Sequence, residues 1–444
     1  MKNKKVLALC LTGIMALSAL VGCGGGSSSS TEDTSKDTAT EDTAEAGGDE
    51  ATEEAKDISG DIHYAFWDVN QQPYLEACIE EFNKEYPDVN IILEPTVWAD
   101  YWTKLEAAAT GGSLADVFWM NGPNIAKYAQ GGILMPVEDM ISEYGLDTAN
   151  YPEGLINLYN IDGTQYALPK DFDTIGLWYN KAMFDAAGLD YPTDDWTWDD
   201  LKAAAEALTT DDVYGFAAGF DTQSGVYNTI FAAGGYVIND DKTASGYDLE
   251  ATQEGIQCWI DLMEAGVSPS QASLEETTSN TQLLNGQVAM AFQGSWFLAQ
   301  VVDADIKDDL DCVELPSLNG NKATVIHGLG NCIFAGTENP EAAKAWVAFL
   351  AGETANTISA EMGAAIPALA GTAQAWVDAY PEYNLQSYIT SSEEYSYAYP
   401  ASVNTGEWNQ YESDNLKNVF ALQTDVKTAC DNLAAQMNDV LANE

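Results

Sequence analysis

Apolar and polar residues alternate along Asp61-Ile62-His63-Tyr64-Ala65-Phe66, which predicts a half-buried strand. From Pro73 to Tyr86 the period becomes helical, with Leu75, Ile79 and Phe82 on one face. Val89 to Leu93 reads as a second strand, Tyr101 to Ala109 as a helix, and Ala115 to Met120 as a third strand. This alternation predicts an open α/β sheet with helices on its faces. Ligands of such sheets sit beyond the carboxyl ends of the strands. Trp67, Asp68, Trp119 and Asn121 fall at those ends.

The stretch from Tyr166 to Phe184 has a different pattern. A strand stopped at Pro169 is followed by a short polar crossing, and alternation resumes from Thr174 to Tyr179. Asn180 and Lys181 end that second strand, and a helix from Ala182 is closed by Gly188. A chain leaving one compact body for another gives this pattern, and so does a strand–turn–strand within one domain. Downstream, Thr197 caps a helix reaching Leu208, with Asp199 and Asp200 favoured in its first turn by the helix dipole. Gly286 to Trp296 reads as a strand running into a Gly-Ser-Trp turn, and Glu341 to Leu350 as an amphipathic helix. The tail is helical from about Gln374, interrupted at Pro381 and Pro400, with a final helix from Leu416 to Leu441.

With 444 residues, the chain has room for two domains with sizeable cores. Its net charge of −53 argues against nucleic acid and against anionic headgroups, which need a basic surface. All 17 basic residues are lysines, so the bidentate fork that favours phosphate and carboxylate ligands is missing. Seven cysteines are scattered through the chain with no CxxC pair, which favours separate thiols over a disulfide framework or zinc site. No GxSxG, P-loop, HExxH or dinucleotide fingerprint is present. With 70 acidic residues, a pair of carboxylates is no evidence for glycoside hydrolysis.

At the N-terminus, Lys2, Lys4 and Lys5 precede an apolar run from Val6 to Leu20, the pattern of a secretory signal. Its end, Leu20-Val21-Gly22-Cys23, resembles the lipobox of bacterial lipoproteins, which implies cleavage before Cys23 and acylation of its sulfur. Residues 23–57 hold almost no large apolar side chain and read as a disordered acidic tether. A flexible chain of that length spans about 30–35 Å on average.

Leu168-Pro169, Asp173-Thr174 and Leu177-Trp178-Tyr179-Asn180-Lys181 resemble the first interlobe crossing of the family 1 extracellular solute-binding proteins, the sugar-capturing subunits of ABC importers. Further matches follow in order: Trp196-Thr197-Trp198-Asp199, Gly294-Ser295-Trp296, Cys312 to Pro316, and Ala365 to Ala368. The resemblance implies a two-lobed, type II periplasmic-binding-protein-like α/β fold with a ligand cleft between lobes joined by a multi-strand hinge. It places residues 58–170 and 316–366 in the first lobe, and 171–315 and 367–444 in the second. It implies a neutral sugar held by the aromatic faces of Trp67, Trp119, Trp296 and Trp408 and by the polar groups of Asp68, Asn121 and Asp173. Tyr227 to Tyr236 resembles a family helix whose N-terminal end borders the cleft, which implies contacts from Gln223 and Tyr227.

No catalysis, metal or cofactor is implied. The partners implied are the carbohydrate, the transmembrane permease subunits of an ABC transporter, and the membrane through the lipid anchor, with the chain a monomer on the extracytoplasmic face. A secreted glycan-active enzyme and a peptide- or cation-binding lipoprotein stay open as alternatives.

Overall fold

The computed structural model describes residues 57–444. The expected signal peptide, Cys23 and the tether as far as residue 56 lie outside the described residues. The first alternating run forms β1 (Gly60–Phe66), followed by α1 (Gln72–Glu85), β2 (Val89–Pro95), α2 (Trp98–Gly111), β3 (Val117–Asn121) and α3 (Gly122–Gln130). The central stretch supplies β4 (Pro169–Asp173), β5 (Ile175–Asn180) and α4 (Lys181–Ala187). After these come α5 (Trp198–Leu208), β6 (Tyr214–Phe216), α6 (Tyr227–Ala232) and α7 (Glu250–Glu264). The chain continues through β7 (Val288–Gly294), α8 (Leu298–Val301), β8 (Leu310–Val313), β9 (Thr324–Ile333), α9 (Pro340–Ala351), α10 (Glu353–Glu361), β10 (Ile366–Pro367) and α11 (Ala373–Ala379). Its last main elements are α12 (Gln386–Glu394), β11 (Ser396–Ala398), α13 (Thr405–Phe420) and α14 (Val426–Leu441).

Apart from a short two-stranded pair at residues 160–165, the strands sort into two sheets, one per lobe. The first has the order β10-β4-β9-β3-β1-β2, with β11 added to the start of β9. β1 runs parallel to β2 and β3, as the alternating helices require. The second sheet has the order β8-β5-β7-β6. Its period-two alternation sends Ile175, Leu177 and Tyr179 into one apolar cluster under α5 and α7. Trp178 points the other way, into the larger cluster that also holds the first lobe's core. There its indole N–H donates to Tyr388 Oη at 2.6 Å.

Local signals account for the element ends. Asn180 caps α4 through Met183 N, and Gly188 closes it at φ 68, a conformation glycine adopts without strain. Thr197 and Asp200 form a reciprocal capping box on α5. All five cysteines among the described residues are buried free thiols, as their scatter predicted.

Two expectations need correction. The polar segment after Pro169 is not an open crossing: it is β4, entirely buried between β9 and β10. Pro169 stands at the first position of the strand, where a proline is tolerated, and the charges that follow it are paired inside the sheet. The true crossing is the single residue Thr174 between β4 and β5. The long final helix is in fact two. The chain turns after Phe420, Leu422 takes a left-handed conformation at φ 57, and Asp425 caps α14 through Thr428 N. α14 then packs on α13 and continues its apolar pattern, which is why periodicity alone joined them.

The second lobe contains a buried acid. Glu412 on α13 has no exposed surface, and it accepts from Tyr227 Oη at 2.8 Å and Tyr247 Oη at 2.5 Å. Burial raises its pKa to about 7, with the two tyrosine hydroxyls pulling it part of the way back. The folded state therefore binds more protons than the unfolded state above the ordinary glutamate range. That contribution to stability is present at low pH and is lost as pH rises towards 7. Denaturant unfolding at pH 5 and pH 8 should show the unaltered chain losing on the order of 1–3 kcal/mol more than Glu412→Gln does over that interval. Equal losses in both proteins would rule out Glu412 as the group responsible.

Candidate functional site

The carboxyl ends of β1, β2 and β3 open on one edge of the first sheet. Trp67 leaves β1 half-buried and meets Trp119 edge-on, with ring centroids 5.1 Å apart. It also packs edge-on against Tyr101 at 5.0 Å and Trp98 at 5.3 Å. Asp68 caps the following turn, accepting from Asn70 N at 3.0 Å and Gln71 Nε2 at 3.2 Å. Gln71 Oε1 in turn accepts from Lys170 Nζ at 3.2 Å, which ties this turn to β4.

β4 supplies the floor. The Lys170 ammonium pairs with the Asp171 carboxylate and lies 4.3 Å from the centroid of the Trp119 ring. Asp171 also accepts from Leu329 N at 3.2 Å. Burial raises the Asp171 pKa, and Lys170 opposes the rise. Asp173 lies opposite His327 in the β4–β9 ladder, with Oδ2 3.9 Å from His327 Nδ1. Its Oδ1 accepts from Gln223 Nε2 at 2.5 Å. Burial, and then the charge of Asp171, push its carboxyl well above the usual range. Burial pushes His327 down to about 4, so its ring is neutral at ordinary pH.

The second lobe reaches this floor by two segments. Thr222–Val226 forms a π-type turn broken at Gly225, a distortion typical of functional positions, and it brings Gln223 to Asp173. Asn228 braces the turn, donating to Gln223 O at 2.8 Å while its Oδ1 accepts from Val325 N at 2.8 Å. The end of β7 supplies the other segment, Ser295 and Trp296, with Ser295 N donating to Thr174 O at 3.2 Å. Beyond them, α8 packs against the Val69–Gln71 turn of the first lobe, and α13 packs against α3.

Of the expected contacts, Trp67, Asp68, Asp173 and Trp296 stand around this floor with Gln223. Trp119 stands behind Trp67 with no exposed surface, its indole N–H spent on Tyr64 Oη at 2.6 Å. Asn121 is buried and accepts from Asn124 Nδ2 at 2.8 Å at the start of α3. Trp408 is corrected: it has no exposed surface, lies in the core of the second lobe, and donates to Ser402 Oγ at 2.8 Å. The helix of α13 turns that ring inward, a direction its place in the sequence does not reveal. Tyr227 is likewise turned to Glu412 and fully buried.

Two polar atoms at the floor went unpredicted. Ser295 Oγ and His327 Nε2 are buried without a hydrogen-bond partner. Orphaned buried polar groups are costly, and a ligand that supplies their partners relieves the penalty. The sequence signal for Ser295 was its place between Gly294 and Trp296. His327 gave no signal beyond being one of two histidines. Among the described residues no group of His, Cys, Asp and Glu is arranged to hold a metal ion.

Two lobes, each an α/β layer around its own sheet, meet over a polar floor at side-by-side crossings. This is the type II periplasmic-binding-protein fold. Residues 68–357 match the family of bacterial extracellular solute-binding proteins, and the chain belongs to that family. It is similar to the maltotriose-binding protein of Pyrococcus abyssi (strain GE5 / Orsay), 25% identical over 251 residues, 56% of this chain and 52% of that protein. It is also similar to the arabinooligosaccharide-binding protein of Bacillus subtilis (strain 168), 23% identical over 317 residues, 68% of this chain and 71% of that protein. Among solved structures, an ABC substrate-binding protein of Listeria monocytogenes in complex with cycloalternan superposes with a TM-score of 0.81 at 26% identity, covering 87% of this chain and 100% of that one. The chain spans about half the length of the first curated relatives it matches.

Gly294 fixes the position of Trp296. A Cβ at Gly294 would lie 2.0 Å from Trp296 Cζ3, so the ring folds over the strand end only because position 294 has no side chain. Gly294→Ala should displace the indole and lower stability by about 1–3 kcal/mol in urea unfolding. A variant as stable as the unaltered chain would show that the ring does not depend on Gly294.

Proposed function

We propose that this protein captures a neutral oligosaccharide in the cleft and delivers it to an ABC permease at the outer face of the membrane. The observation that carries the reading is the composition of the floor. Asp173, Gln223, Ser295 and His327 offer acceptors and donors at close quarters beside the half-buried rings of Trp67 and Trp296. A sugar ring presents an apolar CH face and a rim of hydroxyls, which this combination matches. The relatives named for maltotriose and arabinooligosaccharide support the same class. The one cation at the floor, Lys170, is taken by Asp171 and Trp119, which disfavours an anionic ligand.

No catalysis is proposed. Asp171 and Asp173 sit on one strand, and Asp171 is held by Lys170 and Leu329 N. Hydrolysis needs two carboxyls flanking the bond from opposite sides. The chain acts as a monomer that closes its lobes on the sugar, because a ligand touching both lobes favours the closed state by its differential affinity. The expected lobe boundaries, 58–170 with 316–366 and 171–315 with 367–444, are extended in this proposal so that the first lobe also takes residues 171–173 and 367–379. β4, up to Asp173, pairs in the first sheet, and α11 packs on α10 and β10 beside it.

The reading is tested by a thermal-shift screen of the full chain against neutral oligosaccharides, in which a bound ligand raises Tm by mass action. Asp173→Ala should then weaken the best ligand by about 1–3 kcal/mol in calorimetric titration. An unchanged affinity removes Asp173 from the site, and new reducing ends in the mixture favour the enzyme instead. Among the described residues no helix is long and apolar enough to cross a membrane, and membrane attachment through acylated Cys23 is part of the same proposal. Cys23→Ser should release the protein into the medium, which fractionation reads directly; retention at the membrane would refute the anchor.

A further inference from the structure

Few large apolar side chains among the described residues are strongly exposed, and three of them lie on two neighbouring turns. Trp98 is 53% exposed, Val97 61% and Val69 56%. They belong to the turns after β2 and β1, which run side by side because Phe66 pairs with Pro95 and Phe66 O accepts from Thr96 N at 2.9 Å. The half-buried rings of Trp67 and Trp102 support Trp98 at centroid distances of 5.3 and 5.7 Å. Both contacts are edge-on, at 71° and 89°, so neither ring lies parallel over Trp98.

An indole held out in water at this edge is unfavourable unless something covers it. Trp98 touches Trp67, and the neighbouring Asp68 is linked through Gln71 to Lys170 of the floor. The polar side chains of the two turns are Asp68, Asn70, Gln71, Thr96 and Asp100, and neither turn carries a cation. Acceptors and an amide beside a flat ring suit hydroxyls beside a CH face.

We infer that Trp98, with Val97 and Val69, forms an outer subsite that stacks a further ring of a neutral glycan extending out of the cleft, so that the site selects for chain length. This rests on the cleft being a glycan site, as proposed above. Sugar rings enclosed by the lobes are held by the floor, and the ring that leaves the cleft past Asp68 lies on the Trp98 face.

The test is calorimetric titration of the full chain with maltooligosaccharides, arabinooligosaccharides and galactooligosaccharides from disaccharide to hexasaccharide. For the series that binds, the unaltered chain should gain affinity with length. Trp98→Ala should hold the disaccharide within about twofold and weaken the longest member by about tenfold. Trp98→Phe, which keeps a flat face, should restore most of that loss, and the melting temperatures of both variants should match the parent because the side chain is half in solvent. A loss equal for every length, or no loss at all, overturns the subsite; no loss would point to the Trp98 edge as a docking surface for the transporter. If no glycan binds the unaltered chain, the cleft reading fails and the subsite fails with it, an outcome distinct from length-independent binding.

Discussion

The architecture depends on burying a charged strand. β4 carries Lys170, Asp171 and Asp173 in the interior of the first sheet, a position that is unfavourable for any of them alone. Lys170 is neutralised by Asp171, covered by the Trp119 ring and bonded to Gln71, so the charge is compensated from three directions. Asp173 has no such cation: it borrows Gln223 from the other lobe and keeps its carboxyl far from its ordinary acidity. The pairing fixes β4 between β9 and β10, and the three strands that carry the chain between lobes therefore lie side by side. The polar groups that stabilise these adjacent strands form the floor between the lobes.

The same economy appears in the second lobe, where two tyrosines enclose Glu412. The two sites differ in what they leave unsatisfied. Glu412 has its partners inside the protein, and nothing there calls for a ligand. At the hinge, Ser295 Oγ and His327 Nε2 are left without partners although both residues are buried. Four other buried polar atoms among the described residues, on Asn83, Trp346, Trp376 and Asn409, also have no partner, but only Ser295 and His327 stand beside the floor.

The aromatic residues show how much a position in sequence can and cannot determine. Trp67 and Trp98 follow the carboxyl ends of β1 and β2, where ligand contacts are expected, whereas Trp119 lies inside β3. Their fates diverge. Trp119 is covered by Lys170 and Tyr64, Trp67 is half-covered by its neighbours, and Trp98 protrudes. Trp98 follows β2 by the same rule that places Trp67 after β1, but only its packing leaves it in solvent. Trp408 differs because it lies on a helix, where a rotation of a third of a turn separates cleft from core.

The sequence by itself determined the α/β alternation, the caps of α4 and α5 and the free thiols, because each is set by local periodicity, capping chemistry or spacing. It also carried the family resemblance. Tertiary structure decided that a polar stretch with a leading proline is a buried strand, since only the partners brought by β9 and β10 make those charges tolerable inside. It decided that the last apolar pattern folds back into two helices, because a helix and its antiparallel continuation share one period. It decided, too, which tryptophans face solvent. A side chain's exposure depends on what packs against it from distant parts of the chain, and no local pattern encodes that.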